Sequence, residues 1–381
     1  MQRNASQPRT AFEARITSDG ISPDRWDETA HWKFSEAEIE KLYEVAKEGY
    51  QLALAAVERI VSTRTWGLFG IDETTGREIA RSWQNRAQEI DVLTRATFGW
   101  DGGADGPKLL GFQADSTDGL VEAALGQWWW KEALYGSSDQ FNTLHETLVA
   151  RVGDAMATRM KRTGAQGVHL AYMPDDVAGE GQMRYLAKVI EEAGIETRMI
   201  ALPDIGREDD TGRFVDGEMD EIRVLLKTHP WQWLIEDPFG ADLLKACAGE
   251  RIEVVEPAWK LLLTNRAVMQ TMWDMYPFHP VLAETHGAAA GFGWDQPVIA
   301  RPKFGAGGLV ARRGEVVGGR FTSGTAMDAE ATEGEILQAM VPMASNGARL
   351  DVWIVGDEPC GMGVREDREG VDVVVPHRFK A

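Results

Sequence analysis

LTRATFGWDGGADGPKLLGFQAD, residues 93–115, holds two strand-like runs on either side of DGGADGP, a dense turn signal. The stretch predicts a β-hairpin. Alternate residues of a strand share a face. Arg95, Thr97, Gly99 and Asp101 therefore share one face of the first strand, and Gly111, Gln113 and Asp115 share one face of the second.

Working outward, helices are expected near 119–134 and 138–163, the second stopped by Gly164. Residues 167–202 follow as strand, helix and strand, with GVHLAYM and ETRMIAL flanking a helix over 180–193 that Gly194 ends. Such alternation predicts a parallel sheet. No GxGxxG follows its first strand, so a dinucleotide site has no support. Upstream of the hairpin, Ser35 and Glu38 form an S-x-x-E capping box that opens a helix running to about Val61. Residues 1–20 are polar and read as loose. Downstream, a helix is expected from Ala258 to Tyr276. The last hundred residues alternate strand-like runs (PVIARP, ARLDVWIVG, VDVVVPHRF) with glycine-rich turns, and a short helix is expected near 333–340. The predicted fold class is α/β grading into α+β. Its segments are 1–20, 21–164 with the hairpin, a parallel α/β domain over 165–255, and a β-rich region over 256–381.

The chain has 381 residues, with 40 Lys and Arg against 60 Asp and Glu, a formal charge of −20. An acidic surface argues against sustained nucleic-acid binding, which needs basic side chains on phosphates. A hydrophobic content of 44% supplies enough apolar side chain to exclude disorder as the main state. Cys247 and Cys360 cannot make a disulfide framework or a structural zinc site. The start MQRNASQPRTAFEAR lacks the apolar core of a signal peptide, and no apolar run is long enough to span a membrane. The expected setting is the cytoplasm, with small-molecule partners and neither nucleic acid nor membrane.

Several blocks then stand in order along the chain: Trp26-Asp27-Glu28-Thr29-Ala30, Asp101-Gly102-Gly103, Asp139-Gln140-Phe141-Asn142, Gly212-Arg213-Phe214-Val215-Asp216, and His229-Pro230-Trp231. Glu256-Pro257-Ala258-Trp259-Lys260 with Thr264-Asn265-Arg266 is the most distinctive, and Gly361-Met362-Gly363-Val364-Arg365-Glu366-Asp367 and Val375-Pro376-His377 close the series. Together they resemble the synthetase part of glutathionylspermidine synthases, a branch of the ATP-grasp ligases. The resemblance implies an ATP-grasp fold with a preceding parallel α/β domain. It also implies ATP-dependent amide formation between a peptide-like carboxylate and a polyamine-like amine. ADP is formed, and the acid passes through an acyl phosphate. Magnesium would offset phosphate charge, and it prefers a shell of hard oxygen ligands.

In that family the hairpin carries R-x-D on one strand and E-x-N on the other. Arg95 matches the Arg, a candidate catalytic residue with Arg365. The metal ligands depart: Thr97 stands for Asp, Gly111 for Glu and Gln113 for Asn. The remaining candidate ligands are Gln113 and Asp115, although Asp101 and Asp115 also read as turn and strand-end caps. The glycine loop departs too, as Arg301-Pro302-Lys303-Phe304-Gly305-Ala306-Gly307-Gly308. Arg301 keeps the charge of the family's Lys, but Arg and Lys differ in geometry. Gly305, Gly307 and Gly308 can offer backbone N–H groups to phosphate, or form a simple flexible turn. Lys260 and Gln338 match nucleotide-contacting positions. Ser116 and Thr117 match a peptide-binding segment, or cap a helix.

Trp128, Trp129 and Trp130 read as two core indoles with a third at the helix boundary, and His377 reads as structural. Two functions remain. One is an acid–amine ligase with a degraded magnesium site. The other is a non-catalytic relative that binds a peptide, polyamine or protein partner.

Overall fold

A computed structural model describes residues 1–6, 21, 23–304, 311–322, 334–368 and 371–380. The chain enters through β1 (Gln2–Ala5) and β2 (Ala30–Phe34) and turns at Ser35 into α1 (Glu36–Thr63). The capping box forms: Ser35 accepts from the Glu38 amide, and the Glu38 carboxylate accepts from the Ser35 amide. Ile39, Leu42, Ala46, Ala53, Val57 and Ile60 line the buried stripe of α1 at helical spacing. α2 (Glu73–Gln84) follows, capped by Asp72.

β3 (Leu93–Gly99) and β4 (Lys108–Gln113) pair antiparallel, so the predicted hairpin is present. Arg95 lies opposite Gln113 and Thr97 opposite Gly111. The register then slips beyond Thr97, and Gly111 sits at that irregularity with φ of 155°. Asp101 caps the turn by accepting the Gly103 amide at 2.7 Å. Past the hairpin, a π-helical turn over Glu122–Gly126 runs into α3 (Gln127–Tyr135). Trp129 and Trp130 are buried there, and Trp128 is exposed. α4 (Leu144–Thr163) ends at Gly164, whose φ of 70° is cheap only for glycine.

β5 (Val168–Tyr172), α5 (Val177–Glu192) and β6 (Thr197–Ala201) form the expected parallel unit. β7 (Gly206–Arg207) and β8 (Phe214–Val215) make a small pair. β9 (Val224–Lys227), α6 (Trp231–Leu234), α7 (Pro238–Ala248) and β10 (Glu253–Val255) complete this part. Its sheet runs β10-β9-β5-β6 with every neighbour parallel.

The helix expected over 258–276 is broken. α8 (Leu261–Thr264) and α9 (Ala267–Met275) are separated at Asn265, whose backbone is extended. Asn265 accepts the Ala267 amide and donates to the Phe69 carbonyl, both at 2.9 Å, so its side chain replaces the lost helical bonds. β11 (Thr285–His286), β12 (Gln296–Pro302), β13 (Arg312–Val317), β14 (Arg320–Thr322) and β15 (Glu335–Ala339) form an antiparallel sheet ordered β11-β15-β12-β13-β14. β15 corrects the short helix expected near 333–340. A short apolar run does not distinguish the two states by period, and pairing with β11 and β12 on both sides makes it a strand.

β16 (Arg349–Val355), β17 (Glu358–Arg368) and β18 (Val371–Val375) extend the hairpin into one sheet ordered β18-β17-β16-β3-β4. β19 (His377–Phe379) joins β2, and His377 is buried in the core. Along the central sheet, Ala96, Phe98, Leu350, Val352, Met362 and Val364 pack into the core that α1 shares. The alternate positions point the other way, and they carry the polar residues of interest. Among the described residues no helix is long and apolar enough to cross a membrane.

Candidate active site on the central sheet

Strand pairing sets Thr97 opposite Asp351 and Arg95 opposite Trp353. Arg95, Thr97, Asp351, Trp353 and Arg365 thereby share one sheet face. Arg365 reaches across from β17 to Asp351. Its Nη2 lies 3.0 Å from Oδ1, and its Nε bonds Oδ2. Thr97 Oγ1 donates to Asp351 Oδ1 at 2.7 Å. Asp372 accepts from Arg349 and lies 3.4 Å from Arg365 Nη1. Burial opposes ionisation of Asp351, but Arg365 and Arg95 outweigh it and hold the carboxyl below the usual range.

Arg95 is also buried. Its guanidinium lies 5.6 Å from the Trp353 ring centroid and donates to the Asp118 carbonyl. Its Nε has no hydrogen-bond partner among the described residues. Asp118 is 2.6 Å from Arg25 and 3.5 Å from Arg95. Burial disfavours its charge, yet Arg95 and Arg25 keep it well below the ordinary carboxylate range. Glu122, fully buried in the π turn, goes the other way: burial and Asp118 raise it. π turns inserted in helices recur at functional sites.

The positions where the resemblance implies metal ligands offer magnesium a poor set of donors. Gly111 has no side chain. The Thr97 hydroxyl is bonded to Asp351, whose two oxygens both meet Arg365. Gln113 donates its amide to Ser116 Oγ at 2.7 Å. Asp115 is buried, and its oxygens accept from the Trp231 amide at 2.8 Å and Thr264 Oγ1 at 2.6 Å. Among the described residues no group of three or more His, Cys, Asp or Glu side chains is disposed to hold a metal ion. A divalent cation wants several hard, anionic oxygens, and this constellation does not supply them.

Positive charge gathers elsewhere, at the end of β12. The Arg301 Nε is buried without a hydrogen-bond partner among the described residues. Burial, with Arg266 and Arg349 beside it, pushes the guanidinium down to about 9. On β15, Gln338 is fully buried and donates to Thr285 Oγ1 at 3.3 Å, while its Oε1 has no partner among the described residues. Two orphaned polar atoms, one cationic and one amide, suit a phosphate and a polar ring edge. Gly305, Gly307 and Gly308 lie outside the described residues. Thr117 is buried, and its hydroxyl also lacks a partner among the described residues.

Lys260 lies apart from this charge. It is fully buried, and its Nζ donates to the Leu93 carbonyl at 2.8 Å, to Glu256 at 2.6 Å, and to Asp91. Glu256 in turn accepts the amides of Val92 and Leu93. Burial opposes the Lys260 charge, but Asp91 and Glu256 raise its pKa. The EPAWK block thus clamps the start of β3.

A family model described as glutathionylspermidine synthase preATP-grasp matches residues 3–379. The chain belongs to this glutathionylspermidine synthase family. A Haemophilus influenzae protein named "Putative acid–amine ligase" is 29% identical over 375 residues, covering 93% of this chain and 91% of that protein. The trypanothione synthetase of Crithidia fasciculata is 23% identical, covering 79% of this chain and 48% of that protein. The bifunctional glutathionylspermidine synthetase/amidase of Escherichia coli is 23% identical, covering 67% of this chain and 43% of that protein. The chain therefore spans less than half of those two relatives. In fold it is similar to a glutathione synthetase-like effector from Globodera pallida in apo form, with a TM-score of 0.56, 11% identity and 98% of each chain covered.

Within this glutathionylspermidine synthase family member, the structure brings together Arg95, Thr97 and Arg365 of the predicted residues, and places Arg301 and Gln338 on the neighbouring sheet. Sequence reasoning missed Asp351, Asp118 and Arg349. Arg349, Asp351 and Trp353 alternate on one strand, which was a legible signal. Their partner strands were not legible. Arg266 was noted in its block without a role.

Proposed function

We propose that the chain is an ATP-dependent acid–amine ligase of the glutathionylspermidine synthase type. It joins a peptide-like carboxylate to a polyamine-like amine and forms ADP. In this reading the acid oxygen takes the γ-phosphoryl group as ADP leaves, and the amine then displaces phosphate from the acyl carbon. Arg301, beside Arg266 and Arg349, faces the phosphates. Gln338 addresses the base. Arg95 and Arg365 orient the reacting carboxylate, and Ser116 and Thr117 hold the peptide-like portion. The supporting observation is the buried, unpartnered Arg301 Nε within a group of guanidiniums, at the position where the family contacts phosphate. The test is phosphate release from ATP over a matrix of small peptides and polyamines. Release that rises only when an acid and an amine are both present, with an amide product by mass spectrometry, is expected. Equal release in their absence sinks the reading.

A second reading is a non-catalytic binder of the same fold. The engagement of Arg365 by Asp351 and of Arg95 by Asp118 favours it, because a bound carboxylate would compete with these internal partners. Amine and peptide binding without any turnover is its signature.

A further inference from the structure

We propose that guanidinium groups take the place of magnesium at the nucleotide site, so that this chain binds a nucleoside triphosphate without a divalent cation. The proposal rests on the nucleotide reading above.

Two observations carry it, and they lie on different sheets. The first is the donor set of the central sheet. Where the resemblance implies Asp, Glu and Asn, this chain carries Thr97, Gly111 and Gln113. The nearest carboxylate, Asp351, is bonded through both oxygens to Arg365. On this face Arg25, Arg95, Arg349 and Arg365 stand against Asp118, Glu122, Asp351 and Asp372, four cations to four carboxyls. Glu122 is itself pushed toward its neutral form by burial and Asp118. The face therefore has no excess negative charge to hold a small dication. Recruiting Asp351 as a ligand would strip Arg365 of its main partner in a buried site.

The second observation is a buried cationic donor at the end of β12. Arg301 is depressed by burial and by Arg266 and Arg349, and its Nε lacks a partner among the described residues. A buried guanidinium N–H without an acceptor is costly unless a ligand answers it. A triphosphate does so, because a guanidinium matches phosphate oxygens in bidentate pairs. Arginine also stands at position 301 where the family pattern has lysine. A planar guanidinium on the neighbouring sheet is thus placed to answer phosphate charge where, among the described residues, the hairpin offers no cation site.

The test is calorimetric titration of the full chain with a non-hydrolysable ATP analogue, in magnesium buffer and after exhaustive chelation. The expected result is an affinity that differs by less than about threefold between the two buffers, well under the tenfold that corresponds to about 1.4 kcal/mol. Arg301→Met should weaken binding by about tenfold or more in both buffers, the loss of one charge-assisted contact, and Arg301→Lys should recover part of it. If Arg301→Met unfolds, Arg301→Lys read alone against the parent decides, with a measurable loss in chelated buffer expected. Binding that collapses on chelation overturns the inference and leaves the ligase reading standing. Chelated binding unchanged by the Arg301 substitutions also overturns it. No binding in either buffer overturns the nucleotide reading, and this inference with it.

Discussion

Arg365 carries its charge into a buried position, and Asp351 meets it there with both oxygens. Such a pair adds little net stability, because desolvating two ions offsets most of their attraction. Removing one partner is expensive. Asp351→Asn should therefore cost about 3–5 kcal/mol in urea unfolding. Arg365→Met on the same background should return part of that loss, a coupling that a double-mutant cycle measures. If Asp351→Asn proves neutral, Arg365 has another acceptor and the pair is not what holds it. The pH dependence follows from the same charges. Asp351 and Asp118 are both depressed in the folded state. A depressed carboxyl contributes stability that is fully present above its unfolded value of about 3.9 and fades as pH falls below it. Acid unfolding should thus steepen below about pH 4, and less so in Asp351→Asn.

At the scale of elements, the segment leading into β3 carries the opposite sign. Glu89 is pushed up to about 8 by burial, with Glu253 and Asp91 adding to it and a 2.7 Å bond from Ser82 Oγ opposing. Its folded form therefore binds a proton that the unfolded chain releases near about 4.3. Stability should fall as pH rises from there to about 8. Glu89→Gln keeps the shape without the charge, so its Tm should decline less across that window than the parent's, the remainder coming from Glu253 and Glu256, which burial also raises to about 7. A parallel decline in both proteins would mean that Glu89 is not the titrating group. The EPAWK block supplies a second prediction. Lys260→Met leaves the buried Glu256 and the half-buried Asp91 without their cation and should destabilise by about 3–5 kcal/mol, with nucleotide affinity of the folded fraction unchanged. Here the limits of sequence reading become physical. The hairpin, the capping box and the parallel unit were legible because each is fixed by residues within a few tens of positions. The broken helix at Asn265 depends on the Phe69 carbonyl, and the burial of Lys260 depends on Leu93. Neither contact leaves a periodic trace. The helix expected near 333–340 failed for the same reason, since only its neighbours on both sides make β15 a strand.

At the scale of the whole molecule, the site is assembled from distant parts of the chain. Thr97 and Asp351 are 254 positions apart yet meet at 2.7 Å, because β16 lies between β3 and β17. The hairpin fixes one half of the candidate site, and the last strands fix the other. This changes what restoring the family's ligands should do. Thr97→Asp would set a second carboxylate against Asp351, where two like charges resist joint ionisation unless a cation joins them. Gly111→Glu finds open space around its new Cβ. Its φ of 155° nevertheless suits glycine better than any residue with a side chain, and a strained position of this kind costs about 1–3 kcal/mol. Gln113→Asn shortens a side chain that now bonds Ser116. The combined Thr97→Asp, Gly111→Glu, Gln113→Asn variant should therefore be less stable than its parent in chelated buffer and regain stability with magnesium or manganese. The parent should show no such gain at the same metal concentration. Thr97→Asp alone should be destabilised with little recovery, since two carboxylates without the hairpin's second strand leave the shell incomplete. Thermal melts across a metal titration separate these outcomes. A parent stabilised by magnesium as strongly as the triple variant would mean that the strands already bring together a metal site, with Asp351 released from Arg365 to serve it.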